Sequence, residues 1–129
     1  MKRSALLALM VLIGVSGAAS AASIDKALRK LGPEERSHQA CIYRGLEVIR
    51  RETPLRRADR MTTFVFGRAV LDGTHLTAKG GGVRADGHWY ALSFACDLTA
   101  DYMQARTFTY KLGPEIPKKD WDKYGLWGN

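Results

Sequence analysis

The sequence predicts an α+β domain. One amphipathic helix packs on a four-stranded antiparallel meander, a disulfide joins helix to strand, and a short helical tail closes the chain. Three observations predict it. Apolar residues recur with a helical period over residues 32–51. Downstream, four runs rich in β-branched and aromatic residues are punctuated by Asp72-Gly73 and Asp86-Gly87. Cys41 and Cys96, the only cysteines, fall on the apolar face of the helix and of one strand. At 129 residues the chain is too short for a multidomain enzyme, and two cysteines are too few for a disulfide-dense toxin scaffold. Its 46% of apolar residues is too high for a disordered chain.

The first 21 residues read as a cleaved secretory signal peptide. Lys2 and Arg3 make a positive start, Ala5 to Val15 an apolar stretch, and Ala19-Ser20-Ala21 an A-x-A cleavage pattern. The apolar run falls short of the roughly 20 residues that a membrane span needs. No cysteine lies near the cut to carry a lipid. Cleavage after Ala21 leaves residues 22–129 as one small domain and lowers the formal charge from +7 to +5. The mature protein is then periplasmic or secreted, and it is not an integral membrane protein.

Ser23 to Leu31 reads as a short polar lead. Gly32-Pro33-Glu34-Glu35 starts the helix, since proline suits the first turn and acids suit the positive end of the dipole. Thr53-Pro54 stops it after about Arg51. Cys41, Ile42, Gly45, Leu46 and Ile49 share one face, and Arg36, Tyr43, Glu47, Arg50 and Arg51 lie opposite.

The four strands are expected at Thr62 to Leu71, Thr74 to Ala85, His88 to Cys96 and Ala105 to Leu112. Alternation puts Phe64, Phe66 and Val70 of the first on one face. It does the same for Tyr90, Leu92, Phe94 and Cys96 of the third, and for Phe108, Tyr110 and Leu112 of the fourth. Gly80-Gly81-Gly82 reads as a bulge or bend within the second strand rather than as a phosphate cradle, although Lys79 and Arg84 flank it. Asp97 to Met103 is a polar connection, and Pro117 to Tyr124 is the helical tail.

The opposite sheet face holds Trp89, Ala91, Ser93 and Ala95, beside Val65, Gly67, Thr107 and Thr109, and carries few charges. Either it is an ordinary exposed face partly covered by the tail aromatics Trp121, Tyr124 and Trp127, or it is a contact surface anchored by Trp89.

An exported chain meets an oxidising compartment, so Cys41 and Cys96 are expected to pair. Closing their 55-residue loop stabilises by roughly 4 kcal/mol. A metal pair or a catalytic thiol is the alternative. Two thiols with no histidine at finger spacing do not complete a tetrahedral zinc site.

Charge is the strongest functional signal. Arg44, Arg50, Arg51, Arg56, Arg57, Arg60 and Arg68 fall within 25 residues that hold no lysine and only Glu47, Glu52 and Asp59 as acids. Arginine's planar fork pairs bidentately with phosphate and carboxylate. An exported protein does not meet chromosomal DNA, so nucleic acid is not an expected partner. The anions left are lipid phosphate, lipopolysaccharide, peptidoglycan or an acidic protein. The alternative is a solvated basic segment that keeps the domain soluble. Arg50, Arg51, Arg56, Arg57, Arg60 and Trp89 are therefore the candidate binding residues.

Nothing points to a cofactor or a metal. His75 and His88 are expected near opposite ends of the sheet, and His38 on the apolar side of the helix. No H-E-x-x-H, G-x-S-x-G or Walker motif occurs. Asp97 and Asp101 are read as capping the turn after Cys96. A small hydrolase-type enzyme would rest on His88 or on these two acids.

Cys41, Leu46 and Ile49 are followed by Gly87-x-Trp89-Tyr90-x-Leu92-x-Phe94-x-Cys96 and Phe108-x-Tyr110. Gly113, Glu115-Ile116-Pro117, Trp121 and Tyr124-Gly125-Leu126 come next. Over about Leu31 to Leu126 the series resembles a family of exported alphaproteobacterial proteins, domain of unknown function 930. The resemblance implies a periplasmic or secreted protein of a Gram-negative bacterium with paired cysteines, and brings no catalytic residue with it. The expected role is a non-enzymatic exported module that binds an anionic envelope component or a partner protein. Inhibition or regulation of a cell-wall hydrolase is one form of that role.

Overall fold

Alanine is the strongest helix former, and an alanine-rich segment opens the computed structural model, which describes residues 16–128. Residues 1–15, with the positive start and apolar run of the expected signal peptide, lie outside the described residues. Helix α1 spans Ser16–Arg29, so the expected polar lead is helical over most of its length. Arg36 explains its end. Its Nε and guanidinium nitrogens donate to the carbonyls of Leu28 (2.9 Å), Leu31 (2.9 Å) and Arg29 (3.3 Å), capping the last turn of α1, and to Asp101 O (3.0 Å). The sequence places Arg36 on the solvent side of its own helix, whereas the fold uses it to tie two helices and a loop.

Helix α2 spans Pro33–Glu52, as its start and stop signals predict. Thr53 closes it by donating both its backbone N–H (3.1 Å) and its hydroxyl (2.7 Å) to Ile49 O. Ala40, Cys41, Leu46, Val48 and Ile49 are buried on the side that faces the sheet. Gly45 belongs to that side for lack of room. A Cβ there would meet the Met61 thioether and the Phe108 ring at 2.7–2.8 Å.

The sheet has five strands rather than four: β1 Ala58–Thr62, β2 Val70–Asp72, β3 His75–Ala85, β4 His88–Leu98 and β5 Ala105–Glu115. All pairings are antiparallel in the order β1-β3-β4-β5. The hairpin β3–β4 turns at Asp86-Gly87, both with positive φ (52° and 77°), the backbone of a tight two-residue turn.

The expected first strand is the main correction. Its two ends pair with different halves of β3. β1 lies against residues 82–85 and β2 against residues 75–77. Between them the chain leaves the sheet at residues 63–69 to cross a bulge in β3 between Ala78 and Gly81. Val65 N (2.7 Å) and Phe66 N (2.9 Å) both donate to Gly80 O there. A Cβ on Gly80 would sit 2.8 Å from Gly67 N, so glycine is what lets the backbones approach. Phe64 and Phe66 alternate like a strand but are exposed, because the segment is not a strand where they stand, and Val70, at the start of the short strand β2, is exposed as well.

Apolar residues collect on both faces. Leu76, Ala78, Val83, Leu92, Phe94 and Cys96 form the main core under α2. The Cys41–Cys96 disulfide crosses it from helix to strand. On the other face Val65, Trp89, Ile116, Trp121 and Leu126 form a second cluster. The tail that covers it is a 3₁₀ turn, Lys118–Asp120, followed by helix α3, Trp121–Tyr124. Among the described residues no helix is long and apolar enough to cross a membrane.

Candidate functional site

The arginine segment divides between the two ends of α2. Arg50 and Arg51 close the helix, Arg56 and Arg57 occupy the turn that follows, and Arg60 lies on β1. Arg68 lies in the 63–69 crossing, beside Glu34 in the first turn of α2. Glu34 and Arg50 are 16 helical residues apart, about 24 Å at the rise of an α-helix. Arg50, Arg51, Arg56, Arg57 and Arg60 therefore follow the chain round a corner from the end of α2 to β1, where Arg60 stands in the row of Arg84 and Trp89 on the sheet face away from α2, and Arg68 lies elsewhere.

Within the corner the arginines do different work. Arg50 Nε donates to Ala58 O at 2.6 Å and holds the helix end to β1. Arg57 pairs with Asp86 of the β3–β4 hairpin at 2.7 Å, with both side chains exposed. Arg51 is 3.8 Å from Glu47 and 3.7 Å from Glu52, and Arg44, midway along α2 and outside the corner, is 3.3 Å from Glu47. These are exposed pairs of small energetic weight. Arg56 and Arg60 are exposed and make no ion pair or side-chain hydrogen bond among the described residues.

Arg60 stands across the ladder from Arg84, a buried arginine not counted among the candidates. Asp59 neutralises it with a bidentate pair at 2.9 and 2.6 Å. That hydrogen bond holds the Asp59 carboxyl below its ordinary range and raises the Arg84 guanidinium further. Arg84 is consequently a structural ion pair, and the positive charge open to a ligand comes from its neighbours.

Trp89 does not join them. It is 1% exposed, lies in the second cluster, and its Nε1 donates to Trp127 O at 2.7 Å. The expectation of a contact surface anchored by Trp89 is thus overturned, because the tail folds over this half of the sheet. The other half stays open as a shallow depression of about 290 Å³ that includes Thr77, Lys79, Ser93, Ala95, Thr109 and Lys111.

The remaining titratable groups disperse. His75 bonds to Asp97, whose carboxyl is held low first by that bond and then by Thr107. Asp101 accepts from Thr99 Oγ1 (2.7 Å) and Met103 N (3.1 Å), which hold its carboxyl low and cap the turn. The two acids are thus held by different partners. His88 pairs with Glu115 at 2.6 Å in an open cleft of about 750 Å³, where no serine, threonine or cysteine among the described residues lines the wall. No group of three or more histidine, cysteine, aspartate or glutamate side chains is placed to hold a metal among the described residues.

One pocket escapes the sequence reading. Glu34 and His38 of α2 meet Phe64, Arg68 and Ala69 of the crossing around about 250 Å³. His38 Nδ1 shares a 2.8 Å hydrogen bond with Thr63 Oγ1, and Thr63 is itself buried. The glycine run next to Lys79 was the available signal, because it marks where the chain must cross.

These features define a two-layer α+β domain with one interlayer disulfide and a basic corner. The chain belongs to the family described as Domain of Unknown Function (DUF930), whose model matches residues 28–126. The matched span opens on Leu28 and closes on Leu126, the first and last buried apolar residues among those described. No curated protein and no solved structure matches the chain.

Proposed function

We propose that the protein is an exported, non-enzymatic module of the Gram-negative envelope that binds an anionic envelope component through its basic corner. One observation carries this reading. Arg56 and Arg60 are exposed and unpartnered among the described residues, while Arg50 is held to β1 and Arg57 makes an exposed ion pair with Asp86. Anchored cations raise the local potential, and free ones are available to pair. Export is supported by the A-x-A pattern ending at Ala21, upstream of Leu28, where the buried core and the family span begin. A disulfide across the core suits an oxidising compartment.

The test is co-sedimentation of the protein, expressed with its own N-terminal segment, with phosphatidylglycerol and phosphatidylcholine vesicles. Binding to the anionic vesicles should fall with salt and drop severalfold in an Arg56→Ala/Arg60→Ala double variant of unchanged thermal stability. Equal binding by the variant overturns the assignment. Capture of an acidic envelope protein such as a cell-wall hydrolase, lost with the same two substitutions, would keep the corner and replace the lipid.

A further inference from the structure

The pocket between the first turns of α2 and the 63–69 crossing holds two opposite charges that do not pair with each other. Glu34 is a carboxylate and Arg68 a guanidinium; both line the cavity, and neither makes an ion pair among the described residues. Ala69 and Phe64, which is 59% exposed, add an apolar and aromatic part to the lining. His38 is oriented by Thr63 through Nδ1, which leaves Nε2 as a hydrogen-bonding group without a protein partner among the described residues.

Charge complementarity selects the ligand. A simple anion that reaches Arg68 brings a like charge against Glu34, and a simple cation that reaches Glu34 brings one against Arg68. Only a ligand with both signs satisfies both groups. An open pocket of about 250 Å³ has the size of a small molecule. We infer that this pocket binds a small amino-acid zwitterion, with the ligand carboxylate on Arg68, its ammonium on Glu34 and its apolar part against Phe64. The charge on such a ligand comes either from one free amino acid or from the two ends of a short peptide. This site is independent of the basic corner, and either can fail without the other.

The experiment is a titration followed through the His38 ring and the Phe64 ring by NMR, on the protein expressed with its own N-terminal segment. The probes are a panel of free amino acids, leucyl-leucine, and the N-acetyl and amide derivatives of whichever binds. A free amino acid or the dipeptide should bind, and which of the two binds more tightly names the source. Removing the ligand's ammonium or its carboxylate should weaken binding about tenfold or more, the scale of one charge-assisted hydrogen bond. Glu34→Gln should abolish the penalty for acetylation and leave that for amidation. Arg68→Gln should do the reverse. Both side chains are exposed, so the variants keep the fold. No binding across the panel, or derivatives that bind as well as the zwitterion, overturns the site.

Discussion

The two apolar clusters lie on opposite faces of one sheet and are built differently. The cluster under α2 draws on the helical period of α2 and the two-residue alternation of β3 and β4, and a covalent bond crosses it. The cluster under the tail takes one residue from β4, one from the 63–69 crossing and three from residues 116–126. Hydrogen bonds donated by indoles to backbone carbonyls hold it. Trp89 Nε1 donates to Trp127 O, and Trp121 Nε1 donates to Ile116 O at 3.0 Å. Trp127 also packs edge-on against Trp89, with ring centroids 5.8 Å apart. The first cluster is written in periodic segments and the second in segments with no period. A sheet face that alternation leaves bare can be covered by chain that carries no pattern of its own.

That contrast makes testable claims, beginning with the disulfide. Replacing both cysteines with serine should cost about 4 kcal/mol through the freed 55-residue loop, measured as a fall in the urea midpoint. An unchanged midpoint would mean that packing alone holds the first cluster. Trp121→Ala should cost about 3 kcal/mol, at the lower end for a buried aromatic, because its cluster sits at the edge of the fold. Hydrogen exchange should show the loss around Trp89 and Ile116 while β3 and β4 amides beneath α2 stay protected. Uniform loss of protection would show that the two clusters unfold as one unit.

Gly45→Ala should cost about 2 kcal/mol, since a Cβ has to displace Met61 or Phe108, and thermal unfolding will measure it. The smallest effect concerns the ion pair beneath the tail. Asp59→Asn leaves the buried Arg84 without its counter-charge and should cost about 1 kcal/mol at neutral pH, discounted because Asp59 is half exposed. The sign of the pH dependence follows from the lowered carboxyl. Its contribution is complete above the ordinary value of 3.8 and is lost as pH falls through the lower folded value. The wild-type protein should therefore lose more stability below pH 4 than the variant does.

Much of this architecture is legible in the residues. Pro33, Glu34 and Glu35 mark the start of α2, and Thr53-Pro54 marks its end. Asp86-Gly87 places the β3–β4 turn, and alternation places Cys96 opposite Cys41. The arginine corner is legible in part. Arg50 to Arg57 stay consecutive at the helix end and turn, whereas β1 turns Arg60 to the sheet face away from α2 and Arg68 departs with the crossing. Of the two readings of the face that holds Trp89, cover by the tail aromatics is the one observed, and what decides it is the contact with Trp127, 38 residues away. Arg36 is misread for a similar reason: its partners are carbonyl groups of another helix and a loop, which no side-chain pattern announces.

Local chemistry thus specifies the elements and their inward faces, because propensity, capping and turn geometry act over a few residues. It also specifies the cross-link, since two cysteines on two apolar faces have only each other. Three-dimensional packing decides the splitting of the first strand, the burial of Trp89 and the meeting of Glu34 with Arg68. Each depends on where a segment without periodicity crosses a bulge or lies on a sheet. Contact energies between distant segments set such paths, and those energies exist only once the chain has folded.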